Sequence, residues 1–349
     1  MTQRSAPSLT EVWQQLLTMS AGLDPAAATV VRVGVGHVTC SITVHGAALA
    51  DAILPAISGL PAPSGGTTVE LRLWDHTATG TTEPLDVQRL RDPSLIPRFL
   101  DDRHTLRVER TSTTITRVPD DPGALFTCDD ARDLPHYVRA APLPHAVAPL
   151  LAPHGLHLMH AACVGLPGLG GVLLTGRGGS GKSTTALTCL RDGWQYVGDD
   201  YVVVDPAAAT AHRLYATGKV DPAHLAQRPQ FLPAAATVAP DPSGNDKSIA
   251  MLLPGLDALL VHTLPVRAVV RCRVAHQPAT TWRRIPAGEA LLALAPSTLL
   301  QLPTGRANPL AAMAGLVRDV PTCELSVGTE LDGISPAIEA MLTSLRATS

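Results

Sequence analysis

The sequence predicts an α/β protein in two parts, a phosphate-binding core over residues 146–349 preceded by a β-rich α+β accessory domain over residues 1–145. Three observations carry this expectation. Gly176-Arg177-Gly178-Gly179-Ser180-Gly181-Lys182-Ser183 matches the phosphate-loop pattern G-x-x-x-x-G-K-[ST]. An apolar run, 171–175, feeds the loop, and a helix-forming stretch, 183–191, leaves it and ends at Asp192-Gly193. Residues 25–130, in contrast, are mostly alternating β-branched runs.

In the first part, residues 29–33 and 38–44 read as a hairpin around Gly34-Val35-Gly36. Residues 67–74 alternate Val69, Leu71 and Leu73 with Glu70 and Arg72, the period of a half-buried strand. Further strands are expected at 105–109, 113–118 and 124–127, with a turn at 119–123. Residues 47–60 form the one strong helix candidate there, and Val12, Leu16 and Leu17 mark a short amphipathic helix before it. Asp101-Asp102 and Asp129-Asp130 read as exposed loop acids. Proline and histidine accumulate over 135–153, the composition of a helix-containing linker. In the second part, strands are expected at 201–204, 266–274 and 323–327, and helices at 287–295, 309–318 and 336–345.

Only three of the 27 basic residues are lysines, Lys182, Lys219 and Lys247. The chain therefore uses arginine wherever a positive charge suffices. A lysine ammonium is a compact point charge, whereas a guanidinium is a wide planar fork. A loop wrapped around a phosphate has room only for the first. Glycines let successive amides turn inward as an anion nest, and the following helix adds its positive end. Gly176 through Ser183, with Thr184, are thus the expected nucleotide-binding residues, and the Ser183 hydroxyl is a ligand for Mg²⁺. The plain alternative is a glycine-rich turn that binds nothing.

Asp199 and Asp200 are adjacent acids between apolar flanks. Phosphoryl transfer needs one carboxylate for Mg²⁺ and another for the attacking hydroxyl. Neighbouring strand residues point opposite ways, so the two can share a site only at a strand end or a bend. The alternative is a turn pair capping the strand. His154, His157 and His160 form H-x-x-H-x-x-H without a cysteine or carboxylate to complete a metal set. A single functional histidine, His160, fits better, since the strand it opens would pair with 171–175. Lys219 and Lys247, in segments that read as loops, are candidates to approach the triphosphate, or else exposed lysines of no consequence. Arg267, Arg271, Arg273, Arg283 and Arg284 read as a solvated face first and a docking face second.

Net charge −3 and 3% aromatic content argue against a nucleic-acid partner or an anionic membrane surface. The six cysteines are scattered without C-x-x-C pairs, which argues against a disulfide or zinc framework. No run of eighteen apolar residues predicts a membrane span, and a cytoplasmic location is expected.

Residues 160–205 resemble the HPr kinase/phosphorylase family, with its phosphoenolpyruvate-carboxykinase type of P-loop core. The likeness rests on the His before the strand, Gly171-Val172-Leu173-Leu174-Thr175-Gly176 into the loop, Gly181-Lys182-Ser183-Thr184-Thr185-Ala186-Leu187, Arg191-Asp192-Gly193-Trp194, and Gly198-Asp199-Asp200. The resemblance implies catalytic roles for His160, Lys182 and Asp200, with Asp200 deprotonating a serine hydroxyl, and a metal role for Ser183. The family's later Glu, in an Arg-Gly-Leu-Gly-Ile segment, has no counterpart, so the likeness does not extend to phosphorylase activity or to HPr as acceptor. The overall layout is more similar to HPr-kinase-like proteins associated with ribosomal peptide products, including lasso-peptide kinases.

The expected function is a Mg-ATP-dependent kinase acting on a serine of a peptide or protein, with Asp199 supporting the metal. A small-molecule kinase and a nucleotide-binding regulator without transfer remain as rivals. ATP is not separated from GTP or pyrophosphate as donor. The resemblance extends to a homo-oligomer without fixing a number. Lys182→Arg should weaken nucleotide affinity at least about tenfold, measured by calorimetric titration; unchanged affinity would count against the lysine argument.

Overall fold

The computed structural model describes residues 8–63, 65–90, 98–118, 122–242, 244, 247–302 and 308–347, with backbone alone at 89–90 and 98–100. The turn expected at 119–123 lies mostly outside these residues, as do Ser243, Asn245 and Asp246 beside Lys247.

The first layer is a seven-stranded sheet in the order β1-β2-β3-β7-β6-β5-β4. Its strands are β1 (Ala28–Val35), β2 (Val38–His45), β3 (Thr67–Asp75), β4 (Arg98–Leu100), β5 (His104–Val108), β6 (Ser112–Arg117) and β7 (Gly123–Cys128). β1 and β2 form the hairpin, but the turn is Gly36-His37, because Val35 pairs with Val38. Gly36 sits at φ +57, where a side chain is strained. β2, β3 and β7 are parallel neighbours, and the crossover from β2 to β3 is helix α2 (Ala47–Ile57). Helix α1 (Leu9–Ala21) buries Val12, Trp13 and Leu16 and begins with a capping box between Ser8 and Glu11. Two short helices, α3 (His76–Thr79) and α4 (Leu85–Leu90), are additions the sequence did not signal.

Residues 135–153 contain helices, as expected, but are packed into the core rather than linking two parts. They form α5 (His136–Ala140) and α6 (Pro144–Leu151), and Val138, Leu143, Val147, Leu150 and Leu151 are buried. Pro144 stands in the first turn of α6, where its missing N–H costs nothing. The division expected between residues 145 and 146 falls inside this helix. One apolar cluster runs from Val33, Ile42, Leu49 and Ile53 through Leu150 and Leu151 to Leu158, Tyr201, Val203 and Tyr215. The two parts of the chain therefore share a core.

The second layer contains β8 (His157–Met159), β9 (Ala162–Leu166), β10 (Gly170–Thr175), β11 (Gln195–Gly198), β12 (Val202–Asp205) and β13 (Thr210–His212). A separate three-stranded sheet is built from β14 (Thr217–Val220), β15 (Thr237–Ala239) and β16 (Ser248–Met251). The chain finishes the larger sheet with β17 (Thr263–Val274), β18 (Thr281–Arg284) and β19 (Thr322–Val327). That sheet runs β11-β9-β10-β17-β13-β12-β8, with β19 beside β17 and β18 beside β19. The twelve-residue β17 pairs in parallel with β10 and β19, while its first residues pair antiparallel with β13.

Helices α7 (Lys182–Arg191) and α11 (Ile334–Ala347) cover one face of the sheet, meeting Val172 and Leu174. Helices α9 (Ala287–Gln301) and α10 (Pro309–Asp319) cover the other, meeting Leu173 and Val269. The alternation along β10 thus places hydrophobic side chains on both faces, as a doubly covered parallel strand requires. A short helix, α8 (Pro222–Gln227), follows β14.

Arg213, 2% exposed, ties the layers together by donating to the carbonyls of Ser58 and Gly59 beyond α2. Arg213→Ala leaves those carbonyls without their charged donor. A loss of about 3 kcal/mol is expected, read as a lower denaturant midpoint.

Candidate active site

The glycine loop follows β10 directly. Gly176, Gly179 and Gly181 have φ of +139, +77 and +98, backbone that glycine adopts without strain. At Gly176 space is also decisive, since a Cβ would lie 2.7 Å from Ser180 Oγ and 3.1 Å from the Cys272 carbonyl. No Cβ neighbour lies within 4 Å at Gly178 or Gly179, so this side of the arch is open. Gly181 caps α7 without a side-chain hydrogen bond, leaving first-turn amides free of a side-chain acceptor. The helix ends by a backbone cap. The Trp194 amide donates to Cys189 O and the Gly193 amide to Leu190 O, with Gly193 at φ +85.

Lys182 is buried, and its ammonium donates to Gly176 O at 2.7 Å and Arg177 O at 3.3 Å. Burial pulls its pKa down, and Asp199 partly opposes that. Lys247 is exposed but close enough to Lys182 to repel it. Thr184 lies half-buried in the first turn of α7, and Arg177 is exposed on the arch.

The two acids lie in the turn between β11 and β12, and Asp200 has φ +70, rare for a residue with a side chain. The Tyr201 amide closes this turn onto Asp199 O at 2.9 Å. Asp199, 3% exposed, accepts from the Ser183 hydroxyl at 3.1 Å and from the Lys219 amide at 3.2 Å. Burial and then the Asp200 charge push its pKa up, which these donors only partly offset. Asp200 faces His160 Nε2 at 3.2 Å on one oxygen and Lys219 Nζ at 2.7 Å on the other. Burial works to raise its pKa, but the His160 hydrogen bond and the Lys219 charge outweigh that and hold it well below the usual carboxylate range.

Lys219 is on strand β14 rather than in a loop, paired opposite Ile249 of β16. The three spaced histidines separate. His157 is in β8 near Asp205, His154 ends a 3₁₀ turn near His37, and His160 alone reaches the acids. Among the described residues, no group of three or more His, Cys, Asp or Glu side chains could hold a metal.

The donor set still suits a hard cation that keeps other ligands. Asp199 and Ser183 supply two oxygens beside the loop, and Mg²⁺ is ordinarily bound by one or two carboxylates plus phosphate oxygens. Ser180 Oγ and Thr185 Oγ1 are buried at the loop and the first turn of α7 without a protein partner.

Arg267, Arg273, Arg283 and Arg284 are exposed, as a solvated face requires, but Arg271 and Arg283 also meet a residue the sequence did not flag. Glu324 on β19 is 4% exposed and takes Arg271 and Arg283, the latter at 3.0 Å, while Arg271 also meets Glu289 at 2.8 Å. Burial raises the Glu324 pKa, but the arginine contacts more than reverse this. The signal available in the sequence was alternating Arg on one strand with a lone Glu in an apolar neighbour. Arg271, Glu289 and Glu324 border a cavity of about 710 Å³ against Gly176, Arg177, Gly179 and Ser180, lined on its other side by Leu292 and Pro296 of α9.

No family model matches the chain, and no curated protein matches it. Among solved structures it is similar to the HPr(Ser) kinase/phosphatase from Coxiella burnetii, with 14% identity over 54% of this chain and 99% of that one, at a TM-score of 0.27. A likeness at that score does not bear on chemistry. Among the described residues no helix is long and apolar enough to cross a membrane.

A carboxylate with a raised pKa takes up its proton at a higher pH than an ordinary Asp. If the site takes a Mg-nucleotide as the sequence leads one to expect, its affinity should therefore fall, as pH is lowered, above the range where an exposed Asp would titrate. Fluorescent-nucleotide titrations at fixed Mg²⁺ measure this, and Asp199→Asn should flatten the dependence.

Proposed function

We propose that the chain is a Mg-ATP-dependent kinase transferring the γ-phosphoryl group to a serine hydroxyl of a peptide or protein. The observation that carries the proposal is the Asp200 carboxylate, fixed by His160 and Lys219 next to the Asp199–Ser183 pair at the mouth of the glycine loop.

In this reading the loop amides and Lys182 hold the phosphates, and Lys247 adds charge at the loop's edge. Asp199 and the Ser183 hydroxyl would hold Mg²⁺. When bound, that ion neutralises charge across the outer phosphates. The 710 Å³ cavity flanking the loop is of the size that small-molecule sites occupy, and takes the nucleoside end of the donor. Phosphoryl transfer passes through a loose transition state, so catalysis is mostly positioning and charge stabilisation. A carboxylate held below its ordinary range is a weak base. Asp200 therefore acts chiefly by orienting the acceptor hydroxyl, taking its proton late. His160 fixes the carboxylate plane, and Lys219 stands ready to move from Asp200 to a phosphoryl oxygen.

One observation favours a second reading, a nucleotide-binding regulator without transfer. Both oxygens of the Asp200 carboxylate already have partners, Lys219 on one and His160 on the other, where an acceptor hydroxyl would have to bind. Asp200→Asn separates the two. With radiolabelled ATP and serine-containing peptides, the variant should lose transfer by about 10²–10⁴-fold and keep its nucleotide affinity. Nucleotide binding by the native chain with no transfer to any acceptor would support the regulator.

A further inference from the structure

A second, much smaller cavity lies beside Lys219, the ion-pair partner of Asp200. It has a volume of about 80 Å³, and Lys219 and Tyr201 form its inner wall. Tyr201 directly follows Asp200 in the chain, and Lys219 holds the Asp200 carboxylate at 2.7 Å. The remaining walls come from the accessory sheet, with Phe126 of β7, and from the segment of α5 and α6, with Tyr137, Ala141 and Leu143. Of His160, Asp199, Asp200 and Lys219, the large cavity beside the loop touches none and the small one touches Lys219.

On the kinase reading, on which this inference rests, these two spaces have an order. Attacking and leaving oxygens are roughly in line in phosphoryl transfer. With the nucleoside in the large cavity and the phosphates crossing the loop, the acceptor comes from the space that adjoins Asp200, and the small cavity adjoins it through Lys219. We infer that the small cavity is the acceptor slot, and that it takes one hydroxyl-bearing side chain of an extended polypeptide segment lying across Tyr137.

Size decides between a polypeptide and a free small molecule. Sites that enclose small molecules measure roughly 300–1,000 Å³. The slot holds one short side chain and leaves the rest of the acceptor outside. Tyr137, 41% exposed, offers that outer portion an aromatic surface. Charge agrees. Lys219 is matched by Asp200, and Glu109, also on the wall, is matched by Arg107 at 3.0 Å. A slot with balanced charges and mostly apolar walls suits an uncharged serine tip. In the step itself the serine Oγ bonds to the γ-phosphorus while the bond from that phosphorus to the β–γ bridging oxygen breaks. The hydroxyl proton passes to Asp200, and ADP leaves with the electron pair. The accessory layer is thereby part of the acceptor site.

The test uses the full chain, radiolabelled Mg-ATP, an arrayed library of ten-residue peptides with a central serine, and free L-serine. Ala141→Leu fills the slot, and Tyr137→Ala alters its exposed rim where folding is least at risk. Both should raise KM for the best library peptide, Ala141→Leu at least tenfold and Tyr137→Ala severalfold, with Mg-ATP affinity within twofold of the native value. Val138→Ala, which widens the slot, should raise relative transfer to the matched threonine peptide. Peptide transfer with KM unmoved in both Ala141→Leu and Tyr137→Ala overturns the slot alone. Free serine phosphorylated as well as the best peptide overturns the polypeptide acceptor. Nucleotide binding without transfer to any peptide or to serine overturns the kinase reading, and the slot with it.

Discussion

Two carboxylates one peptide apart cannot both stay charged in a protein interior unless each has its own compensation. At Asp199 and Asp200 the compensation is divided. Asp199 has hydroxyl and amide donors and a raised pKa, whereas Asp200 has an ammonium, a histidine and a depressed one. Environments that push neighbouring acids apart assign them different work. The raised group is the one that gains most from a cation, and the depressed group owes its low pKa to His160 and Lys219. The fold is arranged around that division. β8 ends just before His160, β14 delivers Lys219, and a left-handed turn at Asp200 aims the second carboxylate between them.

How far the sequence reveals this depends on how local each feature is. The loop, its feeding strand and its helix are set by consecutive residues, so pattern alone places them within a residue or two. The acids were readable as a pair needing a bend, because strand geometry forbids adjacent side chains from sharing a face. What could not be read was long-range. Lys219 follows Gly218 and looks like loop, yet pairing with Ile249, thirty residues on, makes it strand. Nothing near either residue encodes that ladder.

The segment at 135–153 was legible in part. Its helices were expected, but its prolines suggested a connector; Pro144 fits a helix's first turn, and the buried residues around Pro149 hold α6 in the core. The arginine rows were read correctly as a solvated face, since Arg267, Arg273, Arg283 and Arg284 are exposed. What charge alone did not reveal was Glu324 on the adjoining strand, which pairs with Arg271 and Arg283. Tyr137 and Tyr201 carried no signal at all, since an isolated tyrosine has no pattern, and only the meeting of the two layers gives them a place.

That meeting also limits how such a chain can diversify. The apolar cluster running from Ile42 to Tyr215 crosses from the first sheet to the second, and α6 belongs to both. Cutting the gene at this seam would lay bare hydrophobic surface on either fragment. New selectivity would therefore have to accumulate by single replacements along the seam, since exchanging the front half wholesale would leave its mate without a wall.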